Sequence, residues 1–316
     1  MSVELSVVLA TDTFETIRDT VAHLSAQTAR EQVELVVVTP SARGFDLDAG
    51  THDGFAAVRV VEASSDLLDV ARLRAAGVRA AEAPVVLFAE THSFPEPTSL
   101  EALIEAHRGG WAAVGQAVGN GNPRTTLSWT NQYLDYGPWT EPCAGGPIDT
   151  IPTHNGSFKR DVLLAAGEKL PHLLRYSDAI VALIRGRGER CYLEPRAATF
   201  HVNVSRPSSW LVERLAAGRA YAGVRGEDWP AWRRAVYVAG SPLIPLVRAR
   251  RVVRDIRRTG RSAELLPRIL PALTVGLVLS ALGELAGYAL GPGTAQRRIG
   301  EMELHRRAHV RRGDWP

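Results

Sequence analysis

Glu90 and His92 stand two positions apart in Ala89-Glu90-Thr91-His92, at the end of a run that reads as a strand. On an extended segment that spacing sends both side chains to one side. A carboxylate and an imidazole so placed can both bind Mn²⁺ or a similar ion, at a softer site than two carboxylates would make. The plainer reading is a pair of polar loop residues. Asp178 follows Ser177 at the head of a helical run, where a carboxylate either accepts a proton from a substrate hydroxyl or stabilises the first helical turn. Asp12, just after the first apolar run, is equally a helix cap or a ligand contact. His154 and Asn155 open a polar turn, which Asn can shape locally or lend to a ligand. Cys143 and Cys191 are too few for a disulfide framework, and no CxxC or Cys/His spacing suggests structural zinc. No GxGxxG follows the first strand and no P-loop is present, which argues against dinucleotide redox chemistry and ATP hydrolysis of those types.

These residues need a scaffold, and the apolar runs describe one. Residues 5–10, 33–38, 58–61 and 85–88 are strand-length and apolar or β-rich. Between them, Ile17, Val21 and Leu24 recur at helical spacing with Thr13 as N-cap, and residues 67–81 and 99–107 carry further helical patterns. Strands alternating with helices of this size predict a Rossmann-like, mostly parallel sheet flanked by helices. Ligands bind beyond the carboxyl ends of such strands, where Thr11, Asp12, Thr39 and Glu90 to His92 fall. Residues 109–153 are rich in Gly, Pro and Trp and read as strand and loop. A helix from Asp161, a helix over 177–185 and a strand ending at His201 follow.

At 316 residues, 45% hydrophobic and 22% charged, the chain is globular in composition and long enough for a large core. Charge divides it. Residues 1–205 carry 17 basic and 25 acidic side chains, and residues 206–316 carry 20 and 9. The predicted organisation is therefore a domain over 1–205 with a basic helical extension over 206–316. In the extension Leu246, Val247, Val252, Val253 and Ile256 form an apolar stripe among six arginines, Arg248 to Arg258, the pattern of an interfacial helix. Residues 269–283 are uncharged but shorter than the ~20 residues of a membrane span, and Pro267 and Pro271 predict a broken or re-entrant segment. Two readings stay open for 243–290: contact with a membrane surface, or packing on the rest of the chain or on a second copy in a homo-oligomer. No nucleic-acid motif accompanies the arginines. The N-terminus lacks the basic region and cleavage site of a secretory signal, and with two cysteines the expected setting is cytoplasmic.

Five segments in order resemble the family 2 glycosyltransferases, whose fold is the nucleotide-sugar-binding glycosyltransferase A fold. They are Leu5 to Asp12 with the strand over 33–38, the helix Ala71-Arg72-Leu73-Arg74-Ala75-Ala76-Gly77, and Val85 to His92 with Pro95 and Pro97. Next come Asn155-Gly156-Ser157-Phe158-Lys159-Arg160-Asp161, and then Ser177-Asp178 with Leu183, Arg185, Gly188, Pro195 and His201. Together they cover residues 2–201.

The resemblance implies transfer of one sugar from a nucleotide-diphosphate sugar to an acceptor hydroxyl, with inversion, helped by Mn²⁺ or Mg²⁺ as a Lewis acid. It places the metal at Glu90, His92 and His201 and the general base at Asp178. Donor contacts fall to Thr11, Asp12, Thr39, Ser65, Asp66, Arg72, Glu90 and Thr91, and acceptor contacts to His154, Asn155 and Trp139. Trp129, Tyr133 and Tyr136 would extend an aromatic platform, or else fill a core. Three positions depart from the family. Glu90-Thr91-His92 replaces its acidic triplet, Thr39 stands where relatives carry a base-contacting aspartate, and the acidic pair is Ser177-Asp178. These departures motivate an alternative, a non-catalytic binding or scaffold protein of the same fold. The Gln-x-x-Arg-Trp motif of processive synthases is absent. With the basic tail, the picture is an enzyme at the inner face of the cell membrane acting on a lipid-linked acceptor.

Overall fold

The computed structural model describes residues 2–43, 45, 47–48, 50–51, 53–63 and 68–316. The chain forms two compact units, Met1–Gly119 with Pro142–Phe200 and Asn120–Glu141 with His201–Pro316. The sequence divides by charge at 205. In the structure residues 120–141 group with the C-terminal helices instead.

The first unit is a sheet between helices. Strands β1 (Leu5–Ala10), β2 (Val33–Thr39), β3 (Ala57–Glu62) and β4 (Val85–Ala89) lie in the order β3-β2-β1-β4, all parallel. Both faces are covered, which is why β1 and β2 are buried at every position and read as apolar runs, interrupted within them at Ser6 and Glu34. Side chains alternate between faces along each strand. Val8, Val36, Val38, Val86 and Phe88 pack with helices α2 (Val70–Ala80), α5 (Arg160–Leu164), α6 (Leu170–Leu173) and α7 (Ser177–Gly186). Leu5, Val7, Leu9, Leu35, Val37 and Leu87 pack on the other side with α1 (Phe14–Ser25) and α3 (Ser99–His107). Helix α2 approaches closely because Gly77 faces Val8 and Val38, where a Cβ would overlap the Val8 side chain. The one charge inside β2, Glu34, is held by the Ser6 hydroxyl at 2.5 Å, by the Glu82 amide at 2.9 Å and by Arg59 at 2.8 Å.

Beyond β4 the direction changes. The remaining strands are β5 (Ser93–Pro95), β6 (Ala113–Asn120), β7 (Gly146–Ile148), β8 (Ser157–Lys159) and β9 (Cys191–His201). Strand β8 runs antiparallel to both β4 and β6, and β7 antiparallel to β9. The parallel half therefore supplies the carboxyl-end site, and the antiparallel half closes the sheet in the order β8-β6-β9-β5. Thr13 holds the N-cap position of α1 without a side-chain cap bond, and Asp12 braces the turn before the helix by accepting from the Thr13 amide and the Thr16 hydroxyl, both at 2.8 Å. Helix α2 starts at Val70, capped by Asp69, three residues after the sequence places it.

The second unit is helical: α4 (Thr126–Asp135), α8 (Pro207–Arg225), α9 (Ala231–Gly240), α10 (Ile244–Arg258), α11 (Ser262–Leu290) and α12 (Ala295–Leu304). Trp129, Tyr133 and Leu134 share a core with Val252, Ile256, Leu265, Ile269, Leu273 and Leu277. Trp129 and Tyr133 are thus core residues, with the indole donating to the Pro123 carbonyl and the phenol paired with Thr259. Helix α11 corrects the expectation of a broken segment, because it runs unbroken through Pro267 and Pro271. Both prolines are exposed, as are residues 263 and 267, so the carbonyls left without an amide partner face water. Its packing face is made of small residues. Gly276 meets Trp210, Gly283 meets the Leu215 backbone, and Gly287 meets Arg219 and Ala222, so α8 and α11 run side by side at close range.

Candidate active site

The site residues of the first unit gather at the carboxyl end of β4, around Glu90. The Glu90 carbonyl accepts from the buried Thr20 hydroxyl of α1 at 3.1 Å, which fixes the backbone. One carboxylate oxygen, Oε2, accepts from the Asn155 amide at 2.6 Å and from the Ser93 hydroxyl at 2.9 Å. The other, Oε1, lies 3.2 Å from His154 Nδ1. Glu90 is nearly inaccessible at 2% side-chain exposure, while His154 is 39% exposed. The carboxylate is therefore oriented from within and approached through the histidine.

Asn155 owes its placement to an unusual backbone. Its φ is +54°, the left-handed region, which Asn tolerates better than other non-glycine residues. The Asn155 amide donates to the Phe88 carbonyl at 2.9 Å, and its own carbonyl accepts from Gln116 at 2.9 Å. Gly156 follows because a Cβ there would run into the Pro152 carbonyl. The Asn-Gly pair is thus a structural clamp that aims one amide at Glu90.

His154 Nδ1 also lies 3.2 Å from Arg74 Nη1. A single Nδ1 can accept from Arg74 or donate to Glu90, but not both. Arg74 is buried, with its guanidinium 5.7 Å over the Phe88 ring. Arg72, the arginine singled out by sequence, points elsewhere: it is exposed and pairs with Asp69 at 3.0 Å. Arg74 and Ser93 are the site residues that sequence reasoning missed. The available signal for Arg74 was its place on the Ala71, Ala75, Val78 row, the apolar side of α2.

His92 is fully buried beside Thr91, whose hydroxyl is 3.1 Å from His92 Nδ1. Ligand atoms of Glu90 and His92 lie within 4.8 Å of each other, and so do those of Glu90 and His154. A carboxylate flanked by imidazoles at this spacing fits a divalent cation of the Mn²⁺ kind. Thr11 and Thr39, at the ends of β1 and β2, are buried and donate to the Thr13 and Ser41 carbonyls. Asp178 is exposed in the first turn of α7. Its neighbour Ser177 accepts from the Thr153 amide at 3.1 Å, tying the start of α7 to the segment that carries His154 and Asn155. Ser65 and Asp66 lie outside the described residues.

Two sequence candidates belong to the second unit. Trp139 ends a short 3₁₀ turn, Gly137–Trp139, and is half-buried. His201 is buried, stacked at a tilt on Tyr136 with ring centroids 4.5 Å apart and bonded to Asn203 at 3.1 Å.

The fold, a mixed sheet with helices on both faces, has a glycosyltransferase-like counterpart among solved structures. The chain is similar to the mannosyltransferase PcManGT from Pyrobaculum calidifontis, solved in complex with GDP-Man and Mn²⁺. That likeness has a TM-score of 0.50 and 14% identity, over 90% of this chain and 87% of that one. S. aureus TarS matches with a TM-score of 0.45 and 12% identity, and the aligned region covers 55% of its length. TarS 1-349 in complex with UDP matches with a TM-score of 0.44 and 12% identity over 90% of both chains. No protein-family model matches the chain. No curated protein matches it either.

Proposed function

We propose that this chain is a glycosyltransferase of the family 2 type, moving a single hexosyl group from a nucleotide-diphosphate sugar to an acceptor hydroxyl with inversion. The observation that carries this reading is the oriented Glu90 carboxylate, held by Asn155 and Ser93 beside His154 and His92, at the carboxyl end of a parallel strand. The mannosyltransferase of similar fold is bound to GDP-Man and Mn²⁺, which supports a nucleotide sugar and a cation here.

Glu90 and His92 would hold Mn²⁺ or Mg²⁺. Such a cation, when bound, neutralises the donor diphosphate and stabilises it as leaving group. Arg74, rather than Arg72, is the buried cation of the chain's own that would face that diphosphate, and its contact with His154 would then give way. Thr11, Asp12 and Thr39 line the strand ends proposed for the nucleoside, with Thr91, Ser65 and Asp66 as further donor contacts. Asp178 accepts the proton of the acceptor hydroxyl as its oxygen attacks the anomeric carbon, and the bond to the diphosphate oxygen breaks on the opposite face. His154, Asn155 and Trp139 would orient the acceptor, for which a lipid-linked hydroxyl is the proposed source.

A panel of nucleotide diphosphates and nucleotide sugars tests this reading, read by thermal shift and calorimetry with Mn²⁺, Mg²⁺ or EDTA on wild type and His92→Ala. The expected result is saturable, metal-dependent stabilisation by one donor that the variant loses. Stabilisation by none of them would move the reading to a non-catalytic scaffold, which the departures at Thr39 and Ser177 already make the second choice.

A further inference from the structure

The helical unit leaves two long apolar rows in solvent. Along the consecutive helices α9 and α10, Trp232, Val236, Leu243, Leu246 and Val247 are exposed, Trp232 at 69% and Leu246 at 68%. Trp232 and Val236 lie one turn apart on α9, which buries no residue at all, and Leu243, at the end of the 3₁₀ turn Ser241–Leu243, lies one turn before Leu246 and Val247. On α11, Leu270, Val275, Val278, Leu282 and Leu285 form a second exposed row, on the side opposite Gly276, Gly283 and Gly287. Large apolar patches of this extent on a soluble surface mark contact sites.

The charges around these rows have one sign. Positions 231–290 hold ten arginines and three acidic residues, and two of the three, Asp255 and Glu284, are buried. Arg250, Arg251, Arg254 and Arg257 are all exposed on α10. An apolar row bearing tryptophan that runs on into exposed arginines along α10 is complementary to the boundary of an anionic bilayer, where acyl chains take the apolar side chains and phosphates the guanidinium groups.

The structure also bears on depth. Helix α11 is long and apolar enough to cross a membrane by length and composition, yet 44% of its most apolar stretch is buried inside the unit. Helix α10 lies along it: Arg248 reaches Glu284 at 3.1 Å, and Val252 and Ile256 share a core with Leu265, Ile269, Leu273 and Leu277. An α11 that crossed the bilayer would carry the exposed arginines of α10 to hydrocarbon depth, where charge is strongly disfavoured. With α11 in the plane of the interface, its exposed row faces the acyl chains, and the arginines that continue the exposed face of α10 reach the headgroups on their long side chains.

We propose that the α9–α11 face is a peripheral docking surface for an anionic lipid bilayer, with α11 lying in the interface and not spanning it. This proposal stands apart from the transfer reading, since vesicle binding is measured without donor or acceptor. The test is co-sedimentation of the full-length chain with vesicles of phosphatidylcholine alone or with added phosphatidylglycerol. Binding is expected only where phosphatidylglycerol is present, weakened at high salt. Replacing Arg250, Arg251 and Arg257 together with glutamine should weaken it on the order of 100-fold, at ~1 kcal/mol per basic residue near the surface. Leu246→Glu and Val278→Glu, both at exposed positions, should each reduce binding at least tenfold while the melting curve stays that of wild type. Membrane-bound chain should be released by alkaline carbonate. Retention after carbonate would overturn the in-plane placement. Failure to bind either vesicle would overturn the proposal, and a dimer abolished by Leu246→Glu would reassign the face to a second copy of this chain.

Discussion

The two units bury charge in opposite ways. In the helical unit, Arg214 makes a bidentate pair with Asp135 at 2.9 and 2.7 Å, and Glu213 accepts from Arg306 at 3.0 Å and Asn131 at 2.7 Å. Burial opposes the ionised form of Asp135, but the adjoining Arg214 outweighs it and holds the carboxyl below its usual range. The carboxylates there are answered by arginines, and Asp135 itself stays partly open to water. In the sheet unit, Glu90 is buried among different partners, the Asn155 side-chain amide, the Ser93 hydroxyl and a histidine that water reaches. Burial of a carboxylate alone therefore does not mark a site. What separates the two is how the carboxylate is answered, by arginines in the helical unit and, around Glu90, by an amide, a hydroxyl and an imidazole.

The sharpest test of that contrast removes one charge from each region. Asp178→Asn, at an exposed position, should lower turnover by about 10²–10⁴-fold while changing stability by less than about 0.5 kcal/mol, checked by transfer assay and urea melt on the same preparation. Arg214→Met should do the reverse. It leaves Asp135 without its bidentate cation and Glu213 with Arg306 alone, and a loss of about 2–3 kcal/mol is expected in chemical unfolding, less than for a fully buried pair because Asp135 is partly open to water. A stable Arg214→Met protein lacking only activity would break the distinction drawn between the regions.

A third test uses pH. Burial, reinforced by the Lys159 charge, pushes the His107 imidazole down to about 4 from an ordinary 6.5. The neutral ring is thus the form that folding favours. Its contribution is complete above 6.5 and is lost as pH falls through 4, a decline of about 3 kcal/mol. Urea melts between pH 7 and 4 should show that decline, flattened in His107→Gln, which stays neutral. The smallest effects concern glycine. Gly283→Ala presses a methyl on the Leu215 carbonyl and should cost about 1–3 kcal/mol. Gly186→Ala meets nothing within 4 Å at the end of α7 and should stabilise by about 0.4–1 kcal/mol. Equal melting points for the two would show that the α8–α11 seam is looser than its geometry.

The parallel strands were legible because β1 and β2 are covered on both faces and so are written in valine and leucine. The helical unit was harder to read. Helix α4 buries Ser128, Asn131 and Gln132 beside its aromatic residues, and α8 buries Glu213 and Arg214, so the inward rows that reveal a helix are broken by polar residues in both. Prolines hid the continuity of α11, since their fate depends on which side meets water. At the site, Glu90, His154 and Asn155 could be found from their turn and strand-end positions. Arg74 could not be separated from Arg72 until the phase of α2 was fixed, because two residues along a helix decide which arginine enters the interior.

The Asn155-Gly156 pair carries one further consequence, for the ageing of the protein. A glycine after asparagine leaves the side-chain amide open to attack by the next backbone nitrogen, the step that begins deamidation. In the folded chain that amide is committed to Glu90 and Ser93 and its backbone is locked at φ +54°, so the reaction is held back. Each unfolding releases it. Heated or repeatedly unfolded protein should therefore accumulate acid at position 155, where a new negative charge meets Glu90, and peptide mapping should trace irreversible inactivation to this dipeptide.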